Sequence, residues 1–365
     1  MVSLARSLAS LGADRKRIGR RTGITQSRVD EIFAGADITA VELRLISEAL
    51  KLAPDALLHA DVSSRRSDVR FRKTPRKRAP FAAEIRIEQL AKFLSRNNLL
   101  IPAKHWRVDA TLSSRRSIED ASWHIRSLVC GPGEMLSPLT DLSERMDHAG
   151  IASTIVMNDL GVEGACTSVD GSALVVVAGR TFAPRMLFTC AHELAHIVLG
   201  HVTGGQWLID ESTIEAFDAD NDQERISNTL ASAVLLPADG VAKFLTHARK
   251  LFGIGDDDLS ATEILLLSRY FGTSFYVAAM RLEHLGIAPV GSAASFEEAI
   301  RSDHVSAEAY AKELGLPPRT PIEVPTISLS LKRNISNAVE SGRVSLGRVG
   351  DILGYSLIEV SNAIS

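Results

Sequence analysis

The stretch AHELAHIVLGH at residues 191–201 constrains this chain more than any other part of its sequence. His192 and His196 stand four residues apart, so on a helix they project from one face and can each give a ring nitrogen to one metal ion. Glu193 lies beside them, where its carboxylate can take a proton from water activated by that ion. The same spacing also occurs on ordinary amphipathic helices, which leaves a purely structural helix as the alternative.

A third metal ligand would distinguish a metal site from a purely structural helix. The extended pattern HExxHxxGxxH requires glycine at position 199 and histidine at 202, where this chain has Leu199 and Val202. His201 is one position off and is expected to support the site or to lie at the surface. A carboxylate from a following helix would instead complete a two-histidine site that keeps one position open for water.

Three glutamates follow the histidine pair, namely Glu211, Glu215 and Glu224. Glu224 is the predicted ligand because it begins the helical run QERISNTLASAVLLP, whereas the other two lie in an acidic, loop-like stretch. Small residues later in that run allow close packing on the histidine helix, and Asn228, one turn after Glu224, is expected to support the ligands. Zn²⁺ is the expected ion for these donors, and Mn²⁺ is compatible with them.

Composition excludes several classes of protein. The chain has 365 residues, more than one typical domain, and its 45% of hydrophobic against 23% of charged residues indicates well-formed cores rather than disorder. No stretch approaches the ~18 apolar residues of a membrane span. Three cysteines without a CxxC pair exclude a disulfide framework. These features predict a cytoplasmic protein with no membrane partner.

Residues 15–33, RKRIGRRTGITQSRVDEIF, have the pattern of a helix-turn-helix. Gly19 allows a close helix crossing, Gly23 can adopt the positive φ of a tight turn, and Thr25 is suited to cap the second helix. The residues expected to meet base edges are Gln26, Ser27 and Arg28, and those expected to meet phosphates are Lys16, Arg17, Arg20 and Arg21.

The charge of the amino-terminal part agrees with DNA as its partner. Residues 1–80 hold 17 Lys and Arg against 9 Asp and Glu, a formal excess of +8 in a chain whose net charge is −3. Together with the closing segment VELRLISEALKLAPDALL, residues 15–58 resemble DNA-binding domains of the lambda-repressor or Xre type. Many such domains bind as dimers, so a homodimer is compatible with the geometry. The alternative is a structural helical hairpin with a solvated basic face.

Residues 121–285 resemble the ImmA/IrrE family of metallopeptidases. The segment RMLFTCAHELAHIVLGH is similar to the family's first block, ERISNTLASAVLLP to its second, and RYFGTSFYVAAMRLEHLGI to its closing helices. The resemblance implies a zincin-like domain in which His192, His196 and Glu224 bind the metal and Glu193 is the general base. It also implies a substrate class, because family members are associated with cleaving helix-turn-helix repressors under stress.

The whole chain is predicted to be mainly α with a small antiparallel sheet, an α+β fold, because short β-branched runs within 151–178 interrupt helical patterns. Residues 342–365 repeat the spacing of the first helix-turn-helix, but their second helix lacks Lys and Arg, which favours docking or dimerisation over DNA reading. The predicted units are a DNA-binding domain at 1–60, a basic linker at 61–83, a metallopeptidase domain at 84–290 and a helical docking or dimerisation segment at 291–365.

Three functions fit these observations. The first is a metal-dependent endopeptidase and DNA-binding regulator that hydrolyses a repressor-type protein. The second is a transcription regulator whose metallopeptidase-like domain senses a ligand or metal without turnover, and the third is an antitoxin-like binding partner. Glu193 favours the first, since a structural site needs no general base. Cleavage in cis within residues 61–80 is a further hypothesis. The candidates to stabilise an oxyanion are Arg185, His201, His247 and Tyr270.

Overall fold

The computed structural model describes residues 15–50, 81–100, 114–156, 163–169, 172–202, 207–210, 222–253 and 259–364, together with single positions between these ranges. The described part is mostly helical with one small sheet, which confirms the predicted α+β class. Residues 61–80 of the predicted linker lie outside the described residues, and a helix already begins at Phe81.

The elements of the described part are numbered in chain order. The helices are α1 Arg15–Thr22, α2 Gln26–Phe33, α3 Ala40–Leu50, α4 Phe81–Arg96, α5 Arg115–Val129, α6 Leu142–His148, α7 Ala183–Val198, α8 Asp222–Leu235, α9 Ala238–Phe252, α10 Ala261–Phe271, α11 Phe275–His284, α12 Ser292–His304, α13 Ala307–Glu313, α14 Leu329–Glu340, α15 Leu346–Leu353 and α16 Leu357–Ile364. The strands are β1 Ile151–Val156, β2 Gly164–Val169, β3 Ser172–Ala178 and β4 Trp207–Asp210.

The sheet is mixed, with the strand order β1-β3-β2-β4. Strand β2 runs antiparallel to β3 and to β4, as the sequence predicts, but β1 pairs with β3 in parallel. The prediction of a wholly antiparallel sheet is therefore wrong for this pair. The chain reverses direction from β1 to β2 and again from β2 to β3, but β3 inserts between β1 and β2. The alternation of residues along a strand carries no information about which strand becomes its neighbour.

Strand β3 is buried on both faces, which explains its continuous run of apolar residues. Val175 and Val177 point into the main core, which is formed with α5–α13. Leu174 and Val176 point into a second core, which α4 and α14–α16 build on the opposite face of the sheet. The sheet is thus the middle layer between two sets of helices.

The carboxy-terminal helices pack on the sheet of their own chain. The Tyr355 hydroxyl donates a hydrogen bond of 2.5 Å to the carbonyl oxygen of Ile155 at the end of β1. Ser328, which precedes α14, donates its backbone N–H to the Ser153 carbonyl oxygen at 2.9 Å. This segment therefore docks within the chain, and dimerisation through it stays a prediction.

The helix pairs α1–α2 and α15–α16 share one backbone geometry, 331 residues apart. Gly23 and Gly354 adopt φ values of 72° and 78° at the two turns. A Cβ atom on Gly19 would lie 3.3 Å from the Ile24 carbonyl oxygen, and one on Gly350 would lie 2.8 Å from the Tyr355 carbonyl oxygen. The close crossing and tight turn predicted for α1–α2 are thus confirmed, and the same devices recur at the other end of the chain.

No single helix among the described residues is long and apolar enough to cross a membrane. Helices α8 and α9 pass that test only as a pair, bent by 51° at their junction. Both contribute side chains to the main core.

Gly350→Ala should lower the stability of the carboxy-terminal unit, because a Cβ would collide with the backbone at Tyr355. We expect a loss of about 1–3 kcal/mol, the usual cost of overpacking. Gly347→Ala on the same helix is the matched control, since its Cβ would meet only the Leu357 side chain at 3.9 Å. Urea denaturation monitored by circular dichroism measures the free energy of unfolding of both variants. Equal values for the two would contradict the close helix crossing at Gly350.

Candidate metal centre

Helix α7 is buried almost all round. It begins after Phe182 with proline in its first turn, and every residue from 187 to 198 is buried. His192, Glu193 and His196 are 0% exposed among these apolar neighbours. Burying so many polar side chains is costly unless they hold one another or a shared ligand. The helix therefore concentrates its polar groups at one place in the core.

Three donor atoms meet at that place. The Nε2 atoms of His192 and His196 lie 3.0 Å apart. The Glu224 Oε2 atom lies 3.3 Å from the first and 3.4 Å from the second. Among the described residues, this is the group whose geometry could hold a metal ion. The structure thus brings together the three predicted ligands, while the alternatives Glu211 and Glu215 lie outside the described residues.

The spacing of these donors fits Zn²⁺. Tetrahedral coordination with bonds of about 2.1 Å places neighbouring ligand atoms about 3.4 Å apart. The three measured separations of 3.0, 3.3 and 3.4 Å are close to the edges of such a tetrahedron. Two imidazoles and one carboxylate leave a fourth position, as in sites that bind water or substrate.

Helix α8 presents Glu224 to α7. Its small residues Ala231 and Ser232 are 0% exposed, which agrees with the close packing predicted from the sequence. Burial alone would raise the pKa of the Glu224 carboxyl group, but its contacts with His192 and His196 outweigh this effect and hold the pKa well below its usual range. Glu224 is thus held as the anion that a divalent cation requires.

Two groups contact the far side of the His196 ring. The His201 Nδ1 atom lies 2.8 Å from His196 Nδ1, and the Ser227 Oγ atom lies 3.3 Å from it. Such contacts orient a ligating imidazole and set its tautomer. His201 therefore supports the site, one of the two roles expected for it. Asn228, expected in this role, is buried beside Ser227.

Sequence reasoning missed Ser227 and Gly164. Ser227 lies three residues after Glu224, on the same face of α8, and this spacing could have identified it. Gly164 opens β2, and a Cβ there would lie 2.6 Å from Thr189 Cγ2 and 2.7 Å from Glu193 Oε1. Only a glycine lets the strand pass this close to Glu193. Its signal in the sequence was a glycine at the start of a β-branched run.

The candidate oxyanion groups lie in different surroundings. Arg185, in the first turn of α7, donates to the Glu163 carboxylate at 3.0 Å. His247 and Tyr270 line a separate groove with Phe244. None of these three contacts the ligand triangle in the structure.

The amino-terminal residues expected to meet DNA also differ in their surroundings. Gln26 and Ser27 are exposed at the start of α2, where Thr25 accepts a hydrogen bond from the Arg28 N–H as a cap. The Arg28 guanidinium is engaged inside the unit, at 2.7 Å from a Glu42 carboxylate oxygen and 3.0 Å from one of Glu31. The Arg28 hydrogen bond lowers the pKa of Glu42 to about 2. Arg28 thus braces α2 against α3.

The expected phosphate contacts lie on α1. Lys16, Arg20 and Arg21 are exposed, and the Arg21 guanidinium donates to the Ala49 carbonyl oxygen at 3.1 Å. The side chain of Arg17 lies outside the described residues.

A family model matches part of the chain. Residues 162–283 match the IrrE N-terminal-like domain of the peptidase M78 family. This region is similar to a metallopeptidase. The match includes α7 and α8, and with them His192, Glu193, His196 and Glu224, so it supports the ImmA/IrrE part of the resemblance and the metallopeptidase class. A search of curated proteins gives no match.

Metal content tests the ligand set. Purified full-length protein should hold about one zinc or manganese ion per chain by elemental analysis, because three donors converge on one point. Glu224→Ala should lose it, since two imidazoles alone bind weakly. Glu193→Gln is the control and should keep the ion, because Glu193 is not one of the three donors. Retention of the metal by Glu224→Ala would exclude this carboxylate as a ligand.

Proposed function

We propose that this chain is a zinc-dependent endopeptidase of the HExxH type and a DNA-binding regulator. The observation that carries the proposal is the triangle of His192, His196 and Glu224 with Glu193 on the same helical turn. A site that only stabilised the fold would need the three ligands but no further carboxylate. The match of residues 162–283 to a peptidase family agrees with this interpretation.

A bound divalent ion supplies Lewis acidity for peptide hydrolysis, since it activates water and polarises the scissile carbonyl group. The side chains of this chain divide the remaining work. His192, His196 and Glu224 fix the position of the ion, and His201 and Ser227 fix the ring of His196. Glu193 accepts the proton from the attacking water and returns it to the leaving amine. Gly164 leaves room for the Glu193 carboxylate, because a side chain at that position would collide with it.

The proposed substrate is a helix-turn-helix repressor-type protein, whose cleavage would relieve repression under stress. Two features support it: the resemblance to the ImmA/IrrE family and the basic helix-turn-helix unit at the amino terminus. That unit would bring the peptidase to the DNA where its substrate is bound. The proposed DNA-bound form is a homodimer. Mn²⁺ is the alternative to Zn²⁺ at the metal centre.

A second candidate is a regulator that senses a metal or ligand without turnover. It is favoured by the burial of the site, because His192, Glu193 and His196 are 0% exposed and Glu224 is 8% exposed. A peptide must reach Glu193 and the open metal position to be hydrolysed, so turnover requires this site to open. A sensor that responds to metal occupancy needs no such access.

Proteolysis distinguishes the two candidates. Zinc-loaded wild-type protein should cleave one member of a panel of purified Xre-type repressors at a defined bond, identified by mass spectrometry. Glu193→Gln should keep the metal and cleave more slowly by at least about 100-fold, the scale of general acid–base catalysis. Intact repressors throughout the panel, with metal bound and DNA binding preserved, would favour the sensor. A single intact band of the enzyme itself over hours would exclude cleavage in cis.

DNA binding is tested on fragments selected from a random pool. Lys16→Gln with Arg20→Gln should weaken binding to all fragments and reduce the slope of log affinity against log salt by about one per removed charge. Gln26→Ala should instead change which sequences are preferred, because this side chain is exposed at the start of α2. Unchanged affinity and salt slope in the double variant would contradict a DNA interface on α1.

A further inference from the structure

A second concave site lies between α4 and the first turn of α15. We call it the basic pocket and define it by Lys92, Arg96, Asn97, Arg343, Ser345 and Arg348. Its volume is about 420 Å³, within the range of about 300–1,000 Å³ that is typical of small-ligand sites. None of the metal-centre residues lines it.

Four of the residues that line this pocket are cationic, and none of its described lining residues carries a carboxylate. Several arginines outside the pocket form ion pairs, such as Arg145 with Glu134 and Arg281 with Glu119. In the part of the chain that the structure describes, Arg96, Arg343 and Arg348 form no ion pair. Like charges gathered in a concave surface create a positive potential that attracts anions.

The orientation of Arg343 adds a second observation. Its guanidinium donates to the Ser341 hydroxyl at 3.2 Å and to the Asn97 carbonyl oxygen at 3.4 Å. Both acceptors are neutral, so they position the side chain without neutralising its charge. Arginine held in this way presents its remaining N–H groups in the planar arrangement that binds phosphate oxygens in pairs.

The start of α15 contributes to the same surface. Ser345 caps this helix by accepting a hydrogen bond from the Arg348 N–H, and both residues line the pocket. The amino terminus of a helix carries a partial positive charge that favours phosphate. Arg348 also occupies, in the repeated helix pair, the position that Arg17 holds in α1, where a phosphate contact is expected.

We propose that the basic pocket binds the phosphate group of a nucleotide-sized ligand. The buried side chains of Phe93 and Val344 form an apolar wall beside the cations, which suits a ligand with one charged end and one less polar end. Duplex DNA is the other source of phosphate, but its backbone would offer this pocket charged oxygens without the less polar end that the apolar wall suits. The proposal does not depend on turnover at the metal centre.

Calorimetric titration of the full-length protein tests this site with three probes: inorganic phosphate, adenosine monophosphate and a 20-base-pair duplex. Wild-type protein should bind the mononucleotide more tightly than inorganic phosphate. The double variant Arg96→Gln with Arg348→Gln should bind both at least about tenfold more weakly. The control is Arg301→Gln with Arg333→Gln, which removes the same charge at exposed positions outside the pocket.

Equal weakening in the control would overturn the proposal, since general charge would then explain the binding. Absence of heat with both small probes in wild-type protein would overturn it as well. Loss of duplex binding alone in the pocket variant would assign the pocket to nucleic acid and contradict a nucleotide-sized ligand. Each variant should unfold at the same temperature as the wild-type protein. A loss of binding then reflects the change in the pocket and not a loss of folded structure.

Discussion

The structure depends on placing His192, Glu193 and His196 on a helix with no exposed face. A helix buried all round needs apolar cover on every side, and α7 obtains it from the sheet on one side and from the surrounding helices on the other. This cover buries the donor triangle. A metal ion that offsets the burial of these groups would therefore stabilise the folded state as well as serve chemistry, because binding to a site absent from the unfolded chain adds to the free energy of unfolding.

The same burial sets a condition on catalysis. Glu193 is fully buried and its carboxylate packs against Gly164, so the base is preorganised in the closed site. A site so closed holds its catalytic groups firmly but does not admit a peptide. The two proposed functions differ on this one point: an endopeptidase must open the region around Glu193 during each cycle, and a sensor need not. The two functions are therefore distinguished by whether a peptide can reach Glu193, and not by which residues bind the metal.

The sequence predicts the helices and the grouping of the three candidate metal ligands correctly, because these depend on the period of apolar residues and on the spacing of residues within one segment. Helix α8 coincides within a few residues with the predicted helical run QERISNTLASAVLLP, and Glu224 was found because it opens that run. The parallel pairing of β1 with β3 was missed, since an apolar strand can pair in either direction. Ser227, Gly164 and the basic pocket were missed for a related reason. The basic pocket depends on which elements become neighbours in space, and no single segment of sequence records that. Ser227 and Gly164 do carry a local signal, but only the packing of α8 and β2 on α7 shows what that signal means.

The repeated helix pair shows how one backbone can serve two purposes. In α1–α2 the start of the second helix exposes Gln26 and Ser27, which are polar. In α15–α16 the equivalent positions are Leu357 and Ile358, which are 57% and 75% exposed, so base edges would meet hydrocarbon there. The opposite side of this pair packs on the sheet through Tyr355. Glycine turns and crossings therefore determine the helix-turn-helix shape, whereas the residues outside the crossing determine what it binds. At the carboxy terminus, that shape positions Ser345 and Arg348 beside α4.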